Sequence, residues 1–154
     1  MAVNCSLNHH LNVTASMKSE LIRIVIADDH QMIREAWKLL LEQDDRFSII
    51  AECRNGEEAI NIAIEHCPDI ILMDINMNPV NGFEATRKIT EQCPGVKIIG
   101  ISINNQPVYA RNMLQFGAKG YVTKNSSKEE MIEAILEVHK GNVFICKEIK
   151  SRMK

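Results

Sequence analysis

Five residues of this sequence stand where apolar runs end, and their side chains could do chemistry together: Asp28, Asp29, Asp74, Ser102 and Lys124. LIRIVIA, residues 21–27, runs into Asp28-Asp29; IILM runs into Asp74; IIGI runs into Ser102; GYVT runs into Lys124. Three carboxylates brought together repel one another, and each raises the others' pKa. Held ionised, they need cations. Lys124 offers one charge, and a divalent metal can supply the rest; a hard, oxygen-rich donor set suits Mg²⁺. Such a site keeps open positions for water or for a phosphate oxygen. With Asp74 as a phosphoryl acceptor, Lys124 and the Ser102 hydroxyl would bind the remaining oxygens. That arrangement supplies the positioning and charge stabilisation that phosphoryl transfer mainly requires.

The five can meet only if the intervening elements bring several run ends to one edge. Residues 21–27 read as a buried strand, and residues 31–43, with Ile33, Trp37, Leu40 and Leu41 on one side, as an amphipathic helix. FSIIAEC, residues 47–53, is a second strand. Asn55-Gly56 turns the chain into a helix that stops at Pro68. DIILMD is followed by the helix GFEATRKITEQC, stopped at Pro94-Gly95; VKIIGIS, residues 96–102, is followed by PVYARNMLQF, ended by Gly117. KGYVT is a short strand, and SKEEMIEAILEVHK a helix with Ser126 or Ser127 as N-cap and Gly141 after it. Strand and helix thus alternate five times. Continuous apolar strands joined by right-handed helical crossovers imply an α/β, doubly wound fold with a parallel sheet covered on both faces. Ligands in such sheets bind at the carboxyl ends of the strands, where all five residues fall.

The chain is 154 residues long, 45% hydrophobic and 25% charged, enough for one soluble domain with a core. Its net charge of -2 gives no electrostatic case for nucleic-acid binding by this chain itself. No apolar run approaches the roughly 20 residues that span a bilayer. Residues 1–20 are polar, without a signal-peptide pattern, and read as a disordered extension; 141–154, partly basic, reads as a tail that begins another helix or a linker. The five cysteines are scattered with no CxxC, which argues against a disulfide framework or zinc and for a cytoplasmic setting.

ADDH at 27–30, MDINM at 73–77, Gly82 eight residues after Asp74, GIS at 100–102 and GYVTK at 120–124 occur in that order, each near a strand end. On these motifs residues 21–140 resemble a receiver domain of two-component response regulators. The resemblance implies a (βα)5 flavodoxin-like fold with a five-stranded parallel sheet in the order 2-1-3-4-5. It implies Asp74 as phosphoacceptor, and Asp28, Asp29, Asp74 and the Asn76 backbone carbonyl around Mg²⁺. Ser102 and Lys124 would contact the phosphoryl group, and Tyr121 would be the aromatic whose rotamer follows Ser102. A sensor histidine kinase would be the donor, with a homodimer as one outcome of phosphorylation. The run from Gly117 to Asn142 looks most like receivers that precede LuxR-type DNA-binding domains, which implies transcriptional output through a domain outside this chain; a stand-alone receiver acting by protein contacts is the alternative. Two positions depart from the pattern. Asn78, followed by Pro79, stands where the family usually has Pro, and Ile103 stands where a small residue is common.

Plainer readings compete at single positions. Asp28 or Asp29 alone would be a helix cap, Lys124 a solvated lysine and Ser102 a turn residue. Tyr121 has both a switch and a packing role open to it. His30 reads as a helix-start residue, and the cysteines as small inert hydrophobes. His9-His10 and the sequon at Asn12 carry no signal in a polar leader. Two other functions use related parts. A haloacid-dehalogenase-type phosphatase also has a strand-end Asp, but it generally needs a second Asp two residues on, where this chain has Asn76. A flavin binder would need a hydroxyl- and amide-rich phosphate loop after the first strand, where ADDH would repel phosphate.

Overall fold

The computed structural model describes residues 20–153. The extension expected at 1–20, with His9, His10 and Asn12, therefore lies almost wholly outside the described residues. Six strands alternate with six helices: β1 Ile22–Ala27, α1 Gln31–Glu42, β2 Phe47–Cys53, α2 Gly56–His66, β3 Ile70–Asp74, α3 Gly82–Gln92, β4 Lys97–Ser102, α4 Pro107–Gln115, β5 Gly120–Thr123, α5 Lys128–His139, β6 Phe144–Ile145 and α6 Lys147–Arg152. The sheet is parallel, in the order β2-β1-β3-β4-β5-β6.

The doubly wound order expected from the resemblance is present, but the sheet has six strands rather than five. Residues 141–153 do not trail from the body. Phe144 and Ile145 pair with Gly120 and Tyr121, while Ile145, Cys146 and Ile149 are buried. A two-residue strand offers no alternation to read, so NVFIC looked like tail.

The strands form because their β-branched runs are buried on both faces: every residue of β3 and β5 is buried, as are Ile24, Val25, Ile26 and Ala27 of β1. Edge strand β2 is half-exposed through its middle. Helices α1 and α5 pack together, while α2, α3 and α4 follow one another in contact. Three helices start on the same device, a polar N-cap with Glu three residues later. Asn55, Asn81 and Ser127 accept from the backbone N–H of Glu58, Glu84 and Glu130. Of the two serines considered before α5, Ser127 is the cap. Helix α4 ends at a glycine because nothing else fits: Gly117 has φ +114°, and a Cβ there would collide with Thr90.

Register brings the site together. Ala27 pairs with Met73, Asp74 with Ile101 and Ser102 with Thr123, so four strands end level with one another. The residues next in sequence emerge on one edge.

Candidate functional site

Asp74 is the last residue of β3 and is 1% exposed; Asp28 follows β1 and is 2% exposed. Asp29 is exposed beside it. Oxygen or nitrogen atoms of Asp28, Asp29, His30 and Asp74 all lie within 4.8 Å of one another, close enough to share one ion. The chain after Asp28 turns tightly. Asp28 Oδ1 accepts the His30 backbone N–H at 2.8 Å, and the His30 ring Nδ1 lies 3.1 Å from Asp28 and 2.9 Å from Asp29. His30, not either aspartate, is the N-cap residue of α1, and its side chain does not cap the helix. The capping alternative for the two aspartates therefore falls. His30 is both the helix-start residue that the sequence suggested and a neighbour of the acidic cluster.

Lys124 follows β5 and turns its ammonium inward, with its side chain only 7% exposed. Nζ is 2.9 Å from Asp28 Oδ2 and 3.5 Å from Asp74 Oδ2. One cation thus faces two buried carboxylates. Asp74 Oδ1 accepts the Asn76 backbone N–H at 3.1 Å, whereas Oδ2 is buried and accepts no hydrogen bond. The ammonium at 3.5 Å is an electrostatic neighbour of Oδ2 rather than its donor. Burial pushes the Asp74 carboxyl up to about 7, and the charges of Asp28 and Asp29 push the same way; the Asn76 N–H and Lys124 only partly offset them. The site therefore carries more negative charge than it neutralises. Three carboxylates, one with a buried oxygen that accepts no hydrogen bond, fit a hard divalent cation.

Gly82 fixes the loop after Asp74. A Cβ there would collide with the Asp74 carbonyl, so only glycine lets the start of α3 approach the strand end this closely; the Gly82 N–H donates to Ile75 O at 3.1 Å. In between, the Asn78–Pro79 peptide bond is cis and Asn76 is exposed. Residues 75–78, Asn81 and Phe83 line a cavity of about 270 Å³ beside the site. Ile103, which stands where the family commonly has a small residue, is 70% exposed.

Ser102 is wholly buried, and its Oγ accepts the Asn104 N–H at 3.0 Å. Its carbonyl accepts the Lys124 N–H at 2.8 Å, which ties the two phosphate-side candidates together through the backbone. Tyr121 is likewise wholly buried; its hydroxyl donates to Asn104 O at 3.3 Å. Burial also pushes the phenol up to about 12. The ring is packed in the core in this structure.

Arg34 carries no sign of burial in the sequence, where it sits among mixed polar and apolar helix residues. The structure buries it. NH1 donates to the Asp28 carbonyl at 2.6 Å, and Nε, 3.5 Å from Glu52, makes no hydrogen bond. A buried guanidinium thereby holds the backbone of a candidate metal ligand. The spacing Asp28-x5-Arg34 was the available signal, since it places the arginine within the first turns of α1, above the preceding loop. The cysteine reading holds for Cys53, Cys93 and Cys146, which are free and buried; burial pushes the Cys53 thiol up to about 12.

Comparison with known proteins agrees with this geometry. A family model described as the response regulator receiver domain matches residues 24–136. The chain is 41% identical over 124 residues to the transcriptional regulatory protein DegU of Brevibacillus brevis, covering 80% of this chain and 52% of that one. It is 36% identical over 125 residues to the oxygen regulatory protein NreC of Staphylococcus epidermidis, covering 80% and 57%. Among solved structures, a two-component response regulator of the LuxR family from Aurantimonas sp. SI85-9A1 superposes with a TM-score of 0.83 at 30% identity, covering 87% of this chain and 96% of that one. The chain spans about half the length of the curated relatives it matches. A matched family spanning most of the chain decides between the receiver reading and the phosphatase and flavin alternatives: this protein belongs to the receiver domains of two-component response regulators.

Proposed function

We propose that Asp74 is the phosphoacceptor of this receiver and that a sensor histidine kinase is its donor. The observation that carries the reading is the buried Asp74 Oδ2, which accepts no hydrogen bond beside Lys124. Its lone pairs are not engaged by a donor, so it is the oxygen with electrons to give. In the transfer this oxygen attacks phosphorus, a P–O bond forms, and the P–N bond to the kinase imidazole breaks. The imidazole leaves with the electron pair and takes up a proton. Hydrolysis of the acyl phosphate by water later restores the carboxylate, so the protein is a switch with self-catalysed loss of the signal.

Asp28, Asp29, Asp74 and the Asn76 carbonyl would hold Mg²⁺, which supplies charge neutralisation for the phosphoryl oxygens when bound. Lys124 binds a phosphoryl oxygen as a charge-assisted donor, and Ser102 binds another through its hydroxyl. The likeness to regulators named as transcriptional supports an output in gene regulation, exerted through a DNA-binding domain outside this chain. A cytoplasmic setting and a homodimer formed on phosphorylation complete the proposal. No described helix is long and apolar enough to cross a membrane. Incubation with acetyl phosphate and Mg²⁺ followed by intact-mass measurement should show one added phosphoryl group. An Asp74→Asn variant that still gains it would sink the assignment.

A further inference from the structure

Glu148 lies on α6, 24 residues beyond Lys124 in sequence, yet it reaches the edge of the candidate site. Its Oε2 accepts the Thr123 hydroxyl at 2.8 Å, and its Oε1 accepts the Asn105 side-chain N–H at 3.0 Å. These two partners flank the residues assigned to the phosphoryl group. Thr123 immediately precedes Lys124 and pairs with Ser102 across the sheet. Asn105 lies three residues after Ser102, on a loop whose Asn104 N–H is already bound to Ser102 Oγ. A further link runs along the backbone, where Cys146 N–H donates to the Tyr121 carbonyl at 3.0 Å. The two donors also hold the Glu148 carboxyl below its ordinary value, Asn105 more than Thr123.

We infer that Glu148 is a positioning residue for Ser102 and Lys124, and that through it α6 is coupled to occupancy of Asp74. The inference rests on Asp74 being the phosphoacceptor. What can move is the loop bearing Asn104 and Asn105. Ser102 Oγ, drawn toward a phosphoryl oxygen, carries Asn104 with it and pulls Asn105 away from Glu148. Thr123 alone then holds the carboxylate, and α6 loosens from α4 and β5. Coupling of this kind is reciprocal in binding free energy: if occupancy of Asp74 loosens α6, freeing α6 must tighten binding of a phosphoryl mimic at Asp74 by the same factor.

The test uses the full chain with Mg²⁺ and beryllofluoride as the phosphoryl mimic. Amide exchange is followed by mass spectrometry over residues 74–78, 103–106 and 144–153, for wild type, Glu148→Ala and Glu148→Gln. Glutamine keeps the length but has one acceptor oxygen for two donors, so it serves if the alanine variant does not fold. Expected in wild type is at least fivefold faster exchange over 144–153 when beryllofluoride binds. In either variant that segment exchanges faster from the start and responds little further. Beryllofluoride binds severalfold more tightly to the variants, which a merely structural contact would not produce. Unchanged exchange over 144–153 in wild type, with 74–78 protected, overturns the coupling while leaving Asp74 as acceptor. So does a variant whose beryllofluoride affinity equals that of wild type. Absence of any protection at 74–78 in wild type fails the Asp74 reading itself, and the coupling falls with it.

Discussion

The Lys124 ammonium lies closer to Asp28, at 2.9 Å, than to Asp74, at 3.5 Å. In this state the lysine is paired more closely with a proposed metal ligand than with the proposed acceptor. It therefore competes with a cation for Asp28. Two unit charges at 4 Å exchange about 4 kcal/mol at the effective dielectric near a protein surface, so even part of that is visible in binding. Lys124→Met should bind Mg²⁺ roughly tenfold more tightly than wild type, about 1.4 kcal/mol. It should be phosphorylated by acetyl phosphate more slowly, because the donor to the phosphoryl oxygen is gone. Calorimetric titration with Mg²⁺ and a time course of intact mass check the two arms. Weaker Mg²⁺ binding in the variant would refute the competition.

Asp74 is destabilising in the metal-free protein. Its carboxylate is buried beside Asp28, and one of its oxygens accepts no hydrogen bond. Asp74→Asn removes the charge, and its carbonyl oxygen can keep the Asn76 N–H contact. The variant should melt higher than wild type without Mg²⁺; a gain of ~1 kcal/mol corresponds to roughly 4 °C for a chain of this size. With Mg²⁺ saturating, the order should narrow or reverse, because the metal stabilises only the protein that binds it well. Melting curves with and without chelator give the answer, and an unchanged or lower Tm in the chelated variant contradicts the account.

How much of this was legible follows from what each residue is tied to. Asp28, Asp74, Ser102 and Lys124 could be read because each ends a buried apolar run, and burial of a strand leaves its mark on every residue of it. Arg34 left no such mark. A polar residue in a helix looks solvated until the loop beneath it is known, and only the fold puts the Asp28 carbonyl under its guanidinium. Glu148 is harder still, since its partners are 25 and 43 residues away in sequence. Strand β6 was missed for a third reason: its two residues gain their extended form from pairing with β5, not from any pattern of their own.

Arg34 gives a prediction that separates hydrogen bonding from charge. Its bond to the Asp28 carbonyl is short and buried, and bonds made by charged groups contribute ~1.5–3 kcal/mol. Arg34→Met should cost about that much stability in urea denaturation and weaken Mg²⁺ binding, because the Asp28 backbone is no longer held. Arg34→Lys should recover little, since one ammonium cannot reproduce the fork that reaches both Asp28 and Glu52. Wild-type Mg²⁺ affinity in Arg34→Met would confine the arginine to a packing role.

Acid stability has a separate source in the turn after α1. The Arg46 guanidinium makes two side-chain bonds to Asp44, at 2.9 Å and 2.6 Å, and holds its carboxyl down at about 2 from an ordinary 3.8. A carboxyl lowered in the folded state stabilises the fold above its unfolded pKa, and that contribution is lost as pH falls through the folded one. The Asp44 contribution is thus complete above about pH 4 and disappears toward pH 2. Arg46 is more than half exposed, so screening keeps the gain small. Asp44→Asn should therefore be slightly less stable than wild type at pH 6, with the gap closing by pH 2. A gap that widens toward low pH would mean that the carboxylate is not what Arg46 stabilises.

Ser102 is the proposed sensor, and its present partner defines what it must disturb. Its Oγ holds the Asn104 N–H, and Asn104 in turn accepts the Tyr121 hydroxyl. A phosphoryl group on Asp74 can shift a two-state element only by contacting its two states differently, and this hydroxyl is the group placed to do so. Ser102→Ala keeps the acceptor, the carboxylates and Lys124, so it should still gain one phosphoryl group on Asp74. It lacks the oxygen that tethers Asn104, so the loop of residues 103–106 should exchange its amides faster than in wild type before any ligand is added. Beryllofluoride should then change exchange over 103–125 far less than in wild type. An equally large response in the alanine variant would show that the signal leaves the site without this hydroxyl. The exposed Ile103 beside it would then be the next residue to substitute.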